Sequence, residues 1–193
     1  MTTICRYSLA ALVFLAACGD GAPKFKSADI TGAEYGRTLE LTDHAGRPRR
    51  LEDFRGKAVV LFFGFTHCPD VCPTTLADTA QALKALGAEA ERVQVLMVTV
   101  DPERDTPGAL AKYVTAFDPR FLGLRGDLAA TQRAAKEFKI YFEKRKSGDG
   151  YSVDHSGQSY VIDPQGRLRL LVRPERIAED LAPDLRTLLR ASS

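Results

Sequence analysis

Two cysteines separated by three residues form the most reactive segment of the sequence, Cys68-Pro69-Asp70-Val71-Cys72-Pro73. An apolar run over 58–65 precedes them as a buried strand would, and apolar residues recur behind them at helical spacing until Gly87. At a helix N-terminus this spacing places both sulfur atoms on one side, where the helix dipole stabilises thiolates. The pair could close a disulfide reversibly, bind Cu(I) or Zn(II), or be merely structural.

Two thiolates rarely complete a metal site, so the histidines are the next residues to consider. His44 lies in a predicted surface turn, and His67, beside Cys68, is interpreted as an orienting or packing group. His155 lies in a predicted loop just before the strand at 160–162, and in a thioredoxin-type arrangement that loop approaches the thiols. Two thiolates and one imidazole suit Cu(I) and tolerate Cu(II), whereas a closed structural zinc site normally has four ligands.

Strand and helix patterns alternate along the chain. Strands are predicted at 38–42, 58–65, 93–100, 160–162 and 168–172. Helices are predicted behind Cys72, from Thr106-Pro107, from Asp127 to Phe138, and over 175–190, where Pro183 marks a kink or a restart. With no internal repeat recognised, this order predicts an α/β fold with helices on both faces of a sheet.

Composition limits the class of protein. The chain has 193 residues, of which 45% are hydrophobic and 27% charged, and its net charge is +2. These values indicate one globular domain with a tail. The near-neutral balance lacks the basic signature of a nucleic-acid-binding domain, so we expect no nucleic acid partner.

Residues 1–17 have the features of an export signal. The apolar run 9–17 is too short to span a bilayer and ends at Leu15-Ala16-Ala17-Cys18, which resembles the cleavage box of bacterial lipoproteins. We predict a lipoprotein signal peptide at 1–17, lipidation of Cys18, a membrane-proximal tether at 18–37, and a folded domain at 38–193 facing the periplasm. The alternative is an ordinary signal peptide with an incidental cysteine.

Three segments in this order resemble the Sco/SenC family over 39–189. They are Gly64-Phe65-Thr66-His67-Cys68-Pro69-Asp70-Val71-Cys72-Pro73-Thr74, Asp101-Pro102-Glu103-Arg104-Asp105-Thr106-Pro107, and Val153-Asp154-His155-Ser156 followed by Asp163-Pro164-Gln165-Gly166. Members of this family are thioredoxin-fold, membrane-tethered copper proteins that help to assemble the binuclear copper centre of cytochrome c oxidase.

The resemblance implies a thioredoxin-like fold, a central mixed β-sheet flanked by helices, with an N-terminal β-hairpin extension. It implies a metallochaperone in which Cys68, Cys72 and His155 bind copper as Cu(I) and Cu(II), and the two cysteines also form a reversible disulfide. The implied partners are the copper-bearing subunit of cytochrome c oxidase or another copper protein, a thiol reductant, and the membrane through the lipid anchor. We further predict that Asp154 orients His155, and that 101–105 is either an acidic segment near the site or a loop with a helix cap.

The main alternative is a periplasmic thiol–disulfide oxidoreductase or a redox sensor. Ordinary thioredoxin-type oxidoreductases have two residues between the thiols and a cis-proline in the facing loop; here three residues intervene and Asp154-His155-Ser156 contains no proline. A peroxidatic cysteine is a further alternative that nothing in the sequence favours over copper. The basic clusters Arg47-Pro48-Arg49-Arg50 and Lys144-Arg145-Lys146 are predicted to be solvated loops.

Overall fold

The computed structural model describes residues 23–192, which form ten strands and four α-helices. The strands are β1 (Ala28–Asp29), β2 (Glu40–Asp43), β3 (Pro48–Arg50), β4 (Ala58–Gly64), β5 (Val93–Thr99), β6 (Leu122–Arg125), β7 (Phe142–Ser147), β8 (Gly150–His155), β9 (Ser159–Ile162) and β10 (Leu168–Val172). The helices are α1 (Val71–Leu86), α2 (Pro107–Thr115), α3 (Leu128–Glu137) and α4 (Ile177–Ala191). None of these helices is long and apolar enough to cross a membrane.

A mixed eight-stranded sheet forms the centre, in the order β1-β10-β9-β4-β5-β6-β2-β3. β4, β5 and β6 are parallel neighbours, and β9 lies antiparallel to β4 on its other side. All seven residues of β4 are buried, as expected of a strand covered on both faces. The predicted mixed sheet flanked by helices is confirmed, and β2 and β3 form the predicted N-terminal hairpin.

The helix boundaries follow local signals in the sequence. Thr106 and Asp127 cap α2 and α3 by accepting backbone N–H bonds, and Gly87 ends α1 with a φ of 62°. α1 packs against α4, whose leucines are fully buried. α4 continues through Pro183, which excludes the restart among the two predicted alternatives, a kink or a restart.

The segment predicted as the end of a tether belongs to the folded domain. β1 pairs with β10, and the backbone N–H groups of Lys26 and Ser27 donate to the Asp184 carboxylate at 2.7 and 2.8 Å. Phe25 and Tyr35 pack against the core. The tether prediction for 18–37 is therefore wrong from residue 23 onward, because a composition argument overlooked these apolar side chains. The rest of that segment, Cys18 and the predicted signal peptide lie outside the described residues.

Besides β1, which lies in the predicted tether, three strands were not predicted. β6 has only four residues, and β7 and β8 form a separate two-stranded hairpin where the sequence suggested a loop before β9. β7 reads FEKRKS and is largely exposed, so it lacks the alternation of apolar residues that indicates a strand. His155 consequently ends a strand rather than lying in a loop, and the cluster Lys144-Arg145-Lys146 lies on that hairpin.

Two hairpin turns repeat one short pattern that sequence analysis missed. Segments 43–49 (DHAGRPR) and 163–169 (DPQGRLR) each begin with a buried aspartate. Asp43 accepts bonds from the Nε atoms of Arg47 and Arg49 at 3.0 and 2.9 Å. In the second turn Asp163 accepts from Arg167 Nε at 2.8 Å and from Arg169 Nη1 at 3.3 Å. Part of the first basic cluster therefore neutralises a buried carboxylate, which corrects its interpretation as a solvated loop.

Candidate metal centre

The two cysteines lie where β4 leads into α1. Cys72 is buried in the first turn of α1, Cys68 is half-buried in the preceding loop, and both are free thiols. Asp70, at the N-cap, makes no side-chain capping bond. Instead, the backbone N–H of Cys72 donates to Cys68 Sγ at 3.4 Å. The sulfur thus accepts from a helix-terminal donor, an environment that favours the thiolate.

The imidazole of His155 completes the cluster from the end of β8. Its Nε2 lies 3.4 Å from Cys72 Sγ, and its Nδ1 lies 2.9 Å from the carbonyl oxygen of Ser156. Because a carbonyl only accepts, Nδ1 of the neutral ring carries the proton and Nε2 presents a lone pair. The ring packs edge-on against Phe62 and Phe65. The two sulfurs and the imidazole donor lie within 4.8 Å of one another.

A close approach at the end of β4 requires Gly64. A Cβ atom at this position would lie 2.5 Å from Phe62 Cε1 and 2.9 Å from Cys72 Sγ. Both distances are shorter than van der Waals contact, so any side chain here would push the buried thiol out of place. The glycine lets α1 place that sulfur directly against the strand.

The two thiols differ strongly in acidity. The hydrogen bond from the Cys72 thiol, together with the backbone N–H groups of Cys72 and Asp70, lowers the pKa of Cys68 to about 5 against the opposing effect of burial. The same hydrogen bond and burial raise the pKa of Cys72 well above its ordinary value. The metal-free site therefore holds one thiolate and one thiol near neutral pH.

This difference predicts an unusual pH profile for alkylation of Cys68. The thiolate forms as pH rises through its pKa of about 5, so we expect the iodoacetamide rate at Cys68 to rise to about pH 6 and then level off. The absolute rate at one pH does not discriminate, because nucleophilicity falls together with thiol pKa. Peptide mass spectrometry of the reduced protein gives the rate for each cysteine.

The denatured chain is the control for this profile. Unfolding removes the bonds that lower the pKa, so alkylation should then continue to rise to an ordinary thiol pKa of about 8.5. A rate at Cys68 that keeps rising through pH 8 in the folded protein would contradict the assignment of the thiolate.

Two other predicted polar groups lie apart from the cluster. His67 is more than half exposed, with Nδ1 3.0 Å from Thr66 Oγ1, in agreement with its interpretation as a non-ligand. Asp154 does not orient His155, and that prediction is wrong: its exposed carboxylate accepts from Arg145 Nε at 3.1 Å. Successive residues of a strand point to opposite faces, so a residue adjacent to His155 in β8 points away from the cysteines.

A buried carboxylate, that of Asp105, holds the loop that leads to Cys68. Asp105 is fully buried and accepts from the Thr66 hydroxyl at 2.6 Å, the Thr66 backbone N–H at 3.1 Å and the Thr99 hydroxyl at 2.6 Å. It thereby ties the loop before Cys68 to the end of β5. Of the two interpretations of 101–105, a loop with a helix cap describes the segment better: Asp105 holds the loop through its bonds to Thr66 and Thr99, and Thr106 next to it caps α2.

A cleft of about 550 Å³ opens beside the cluster. Its lining combines the cysteine loop, the N-terminal end of α1, the end of β8 and a proline that begins a short 3-10 helix: Phe65, Cys68, Pro69, Asp70, Val71, Ser152, Val153, Asp154, His155, Gly157 and Pro174. One thiol and the imidazole lie on its wall, so an incoming ligand can reach them.

The fold and the cluster define a class: thioredoxin-like proteins with a dithiol and an imidazole placed for a soft metal ion or for thiol chemistry. The SCO1/SenC family model matches residues 27–190, and the chain belongs to this family.

Individual relatives agree with this assignment. The mouse mitochondrial protein SCO2 homolog is 40% identical over 152 residues, covering 77% of this chain and 60% of the relative. The chain thus spans about 60% of the length of that relative. The copper-bound structure of Bradyrhizobium japonicum ScoI is 38% identical with a TM-score of 0.74, covering 80% of this chain and 99% of the other. A SCO1/SenC family lipoprotein from Bacillus anthracis is 25% identical with a TM-score of 0.71, covering 88% and 100%.

Proposed function

We propose that this protein is a copper-binding metallochaperone that carries Cu(I) and Cu(II) on Cys68, Cys72 and His155. The observation that carries the proposal is the convergence of these three donors within 4.8 Å beside an open cleft. Thiolates favour Cu(I), and imidazole serves either oxidation state. Family membership and the copper-bound ScoI structure support the choice of copper over zinc.

Three ligands suit a carrier that must release its cargo. A site with an accessible side allows the sulfur ligands of an acceptor to replace the chaperone's ligands one at a time. Oxidation of the two thiolates to a disulfide would pass two electrons to an oxidant and remove both sulfur ligands. A thiol reductant that returns those electrons would restore the site.

We place this activity outside the cytoplasm, on a periplasmic membrane anchor formed by lipidated Cys18 after removal of residues 1–17. The sequence box at Cys18 and the related Bacillus anthracis lipoprotein support this placement. The proposed acceptor is the copper-bearing subunit of cytochrome c oxidase, at its binuclear copper centre, or another copper protein. The protein is then not an enzyme, apart from reduction of a partner's disulfide.

Copper titration of the reduced protein tests this function. A Cys5→Ser, Cys18→Ser background leaves the site cysteines as the only thiols. We expect one copper per chain and, for Cu(II), a sulfur-to-copper absorption band. Protein oxidised to the disulfide should bind none. No retention by the reduced protein would refute the copper function.

A second candidate is a thiol–disulfide oxidoreductase, favoured by the lowered pKa of Cys68 at the edge of the cleft. A low-pKa, accessible thiolate is the nucleophile that such exchange requires. An oxidoreductase should retain disulfide exchange after His155→Ala, because the imidazole contributes nothing essential to that reaction. Exchange at an unchanged rate, together with no copper retention by the parent protein, would establish this alternative.

A further inference from the structure

The hairpin that carries His155 has few attachments to the main sheet. Within residues 23–192, β7 and β8 pair only with each other, and five of the six β7 residues are exposed. In β8 only Val153 is buried. A two-stranded hairpin alone has marginal stability in water. The position of His155 therefore depends on the contacts that fasten this hairpin to the domain.

Asp101, Arg104 and Tyr151 make such a fastening, which we call the hairpin clamp. The Arg104 guanidinium lies 3.8 Å from the centroid of the Tyr151 ring, and its Nη1 donates to the Tyr151 carbonyl oxygen at 3.0 Å. Arg104 Nε and the Tyr151 hydroxyl both donate to the Asp101 carboxylate, the hydroxyl at 2.8 Å. The Arg104 guanidinium thus contacts both the backbone and the ring of Tyr151, and it shares the Asp101 carboxylate with the Tyr151 hydroxyl.

The clamp is anchored at the C-terminal ends of the central strands, where the thiols also lie. Asp101 is fully buried just after β5, and its backbone N–H donates to the Thr99 hydroxyl at 2.9 Å. β5 is the parallel neighbour of β4, which leads into the cysteine loop. The Arg104 guanidinium also lies 5.9 Å from the ring of Phe65, which packs against the His155 ring. The clamp therefore connects the hairpin to the cysteine loop in two ways, through β5 and β4 and through the ring of Phe65.

Arg104 occupies this place at an energetic cost. Its Nη2 is buried and has no hydrogen-bond partner among the described residues. Buried donors are nearly always satisfied, so an exception calls for an explanation. We explain the unpaired Nη2 by the bonds of the other two nitrogens, because Nε and Nη1 fix the position of β8 through Asp101 and the Tyr151 carbonyl oxygen.

We propose that Arg104 and Tyr151 are positioning residues that hold His155 at the dithiol, so that bound copper has three ligands rather than two. The inference rests on the proposed copper function. Two thiolates suffice for Cu(I), whereas Cu(II) depends on the harder imidazole nitrogen. Loosening the clamp should therefore weaken Cu(II) binding selectively and leave Cu(I) stoichiometry at one.

The test compares Arg104→Ala and Tyr151→Phe with Arg145→Ala in the Cys5→Ser, Cys18→Ser background. Arg145 lies on the same hairpin, but its ion pairs within residues 23–192 are confined to Glu143 and Asp154 of that hairpin. We expect Arg104→Ala to weaken Cu(II) binding about 10- to 100-fold, the range found when the support of a metal ligand is removed, because His155 then loses its fixed position. The nitrogen hyperfine coupling in the Cu(II) EPR spectrum should be lost with it. The Arg145 variant should match the parent protein.

The metal-free protein provides an independent readout. Arg104→Ala should accelerate amide hydrogen exchange in β7 and β8 while β4 and β5 keep their protection. Should this variant fail to fold, Tyr151→Phe decides, since it removes only the hydroxyl bond to Asp101. A selective loss of Cu(II) affinity in that variant supports the clamp, and unchanged affinity overturns it.

The remaining outcomes separate this inference from the function on which it rests. If the parent protein binds copper and Arg104→Ala binds Cu(II) with the same affinity and EPR spectrum, the clamp is refuted and the copper function stands. Equal losses of Cu(I) and Cu(II) in Arg104→Ala also refute the clamp, because they indicate a general collapse of the site. No copper on the parent protein refutes both.

Discussion

Serine in place of either Cys68 or Cys72 is expected to abolish stoichiometric copper binding in both oxidation states. A hydroxyl is a poor substitute for a thiolate at a soft metal ion. We expect the apparent Kd to rise by more than about 100-fold, beyond the range for loss of an outer-sphere partner. Copper per chain after desalting, with the sulfur-to-copper absorption band, measures the effect.

His155→Ala should separate the two oxidation states. The remaining dithiol should keep Cu(I) more weakly, while stoichiometric Cu(II) and its nitrogen EPR signal disappear. His67→Ala is the matched control, because His67 is a neighbouring histidine that lies outside the three-residue cluster and is more than half exposed. A His155→Ala protein that retained one Cu(II) per chain with an unchanged spectrum would show that the ligand assignment is wrong.

Asp105→Asn is expected to produce the largest loss of stability among single substitutions around the site. The side chain is fully buried and accepts three hydrogen bonds, from Thr66 and Thr99. The asparagine side chain keeps one acceptor oxygen, but its NH₂ group would face donors of Thr66 or Thr99 that need an acceptor. Bonds to charged groups contribute about 1.5–3 kcal/mol each, so we expect the free energy of unfolding to fall by roughly 2–4 kcal/mol.

Asp127→Asn is the matched control for this substitution. Asp127 is the exposed N-cap of α3 and accepts from Ala130 N–H at 2.7 Å, a role that asparagine fills equally well. Chemical denaturation of both variants, with the slope of the transition checked, gives the two free energies. A loss at position 105 no larger than at position 127 would mean that the buried network contributes little.

Local features of the sequence were sufficient to predict much of the fold. β4, β5 and the hairpin of β9 and β10 are short apolar runs between turns, and this pattern needs no knowledge of distant residues. The caps at Thr106 and Asp127 work in the same way, since each side chain bonds to a backbone group three residues on. The location of the dithiol could be predicted in the same way, because its position between a buried strand and a helix is visible in the local sequence.

Features that depend on distant partners were missed or misassigned. β7 carries charged residues on an exposed hairpin and has no apolar alternation to reveal it. The composition of the segment around Phe25 indicates a tether, and its two hydrogen bonds to Asp184, far away in the chain, are invisible to composition. Only its position before β9 and the family resemblance point to His155, because its contact with Cys72 Sγ at 3.4 Å joins residues that lie far apart in the chain.

The sequence by itself determined the reactive dithiol, the elements around it and the candidate third ligand. Only the tertiary structure decided that His155 meets Cys72 while Asp154 turns away, and that Asp105 and Arg104 support the site. The physical reason is the separation along the chain over which each interaction acts: strand periodicity and helix capping involve residues only a few positions apart. The contacts that aim a side chain across the cleft form only after the chain has folded and the β7–β8 hairpin has packed beside β4 and β5 of the main sheet.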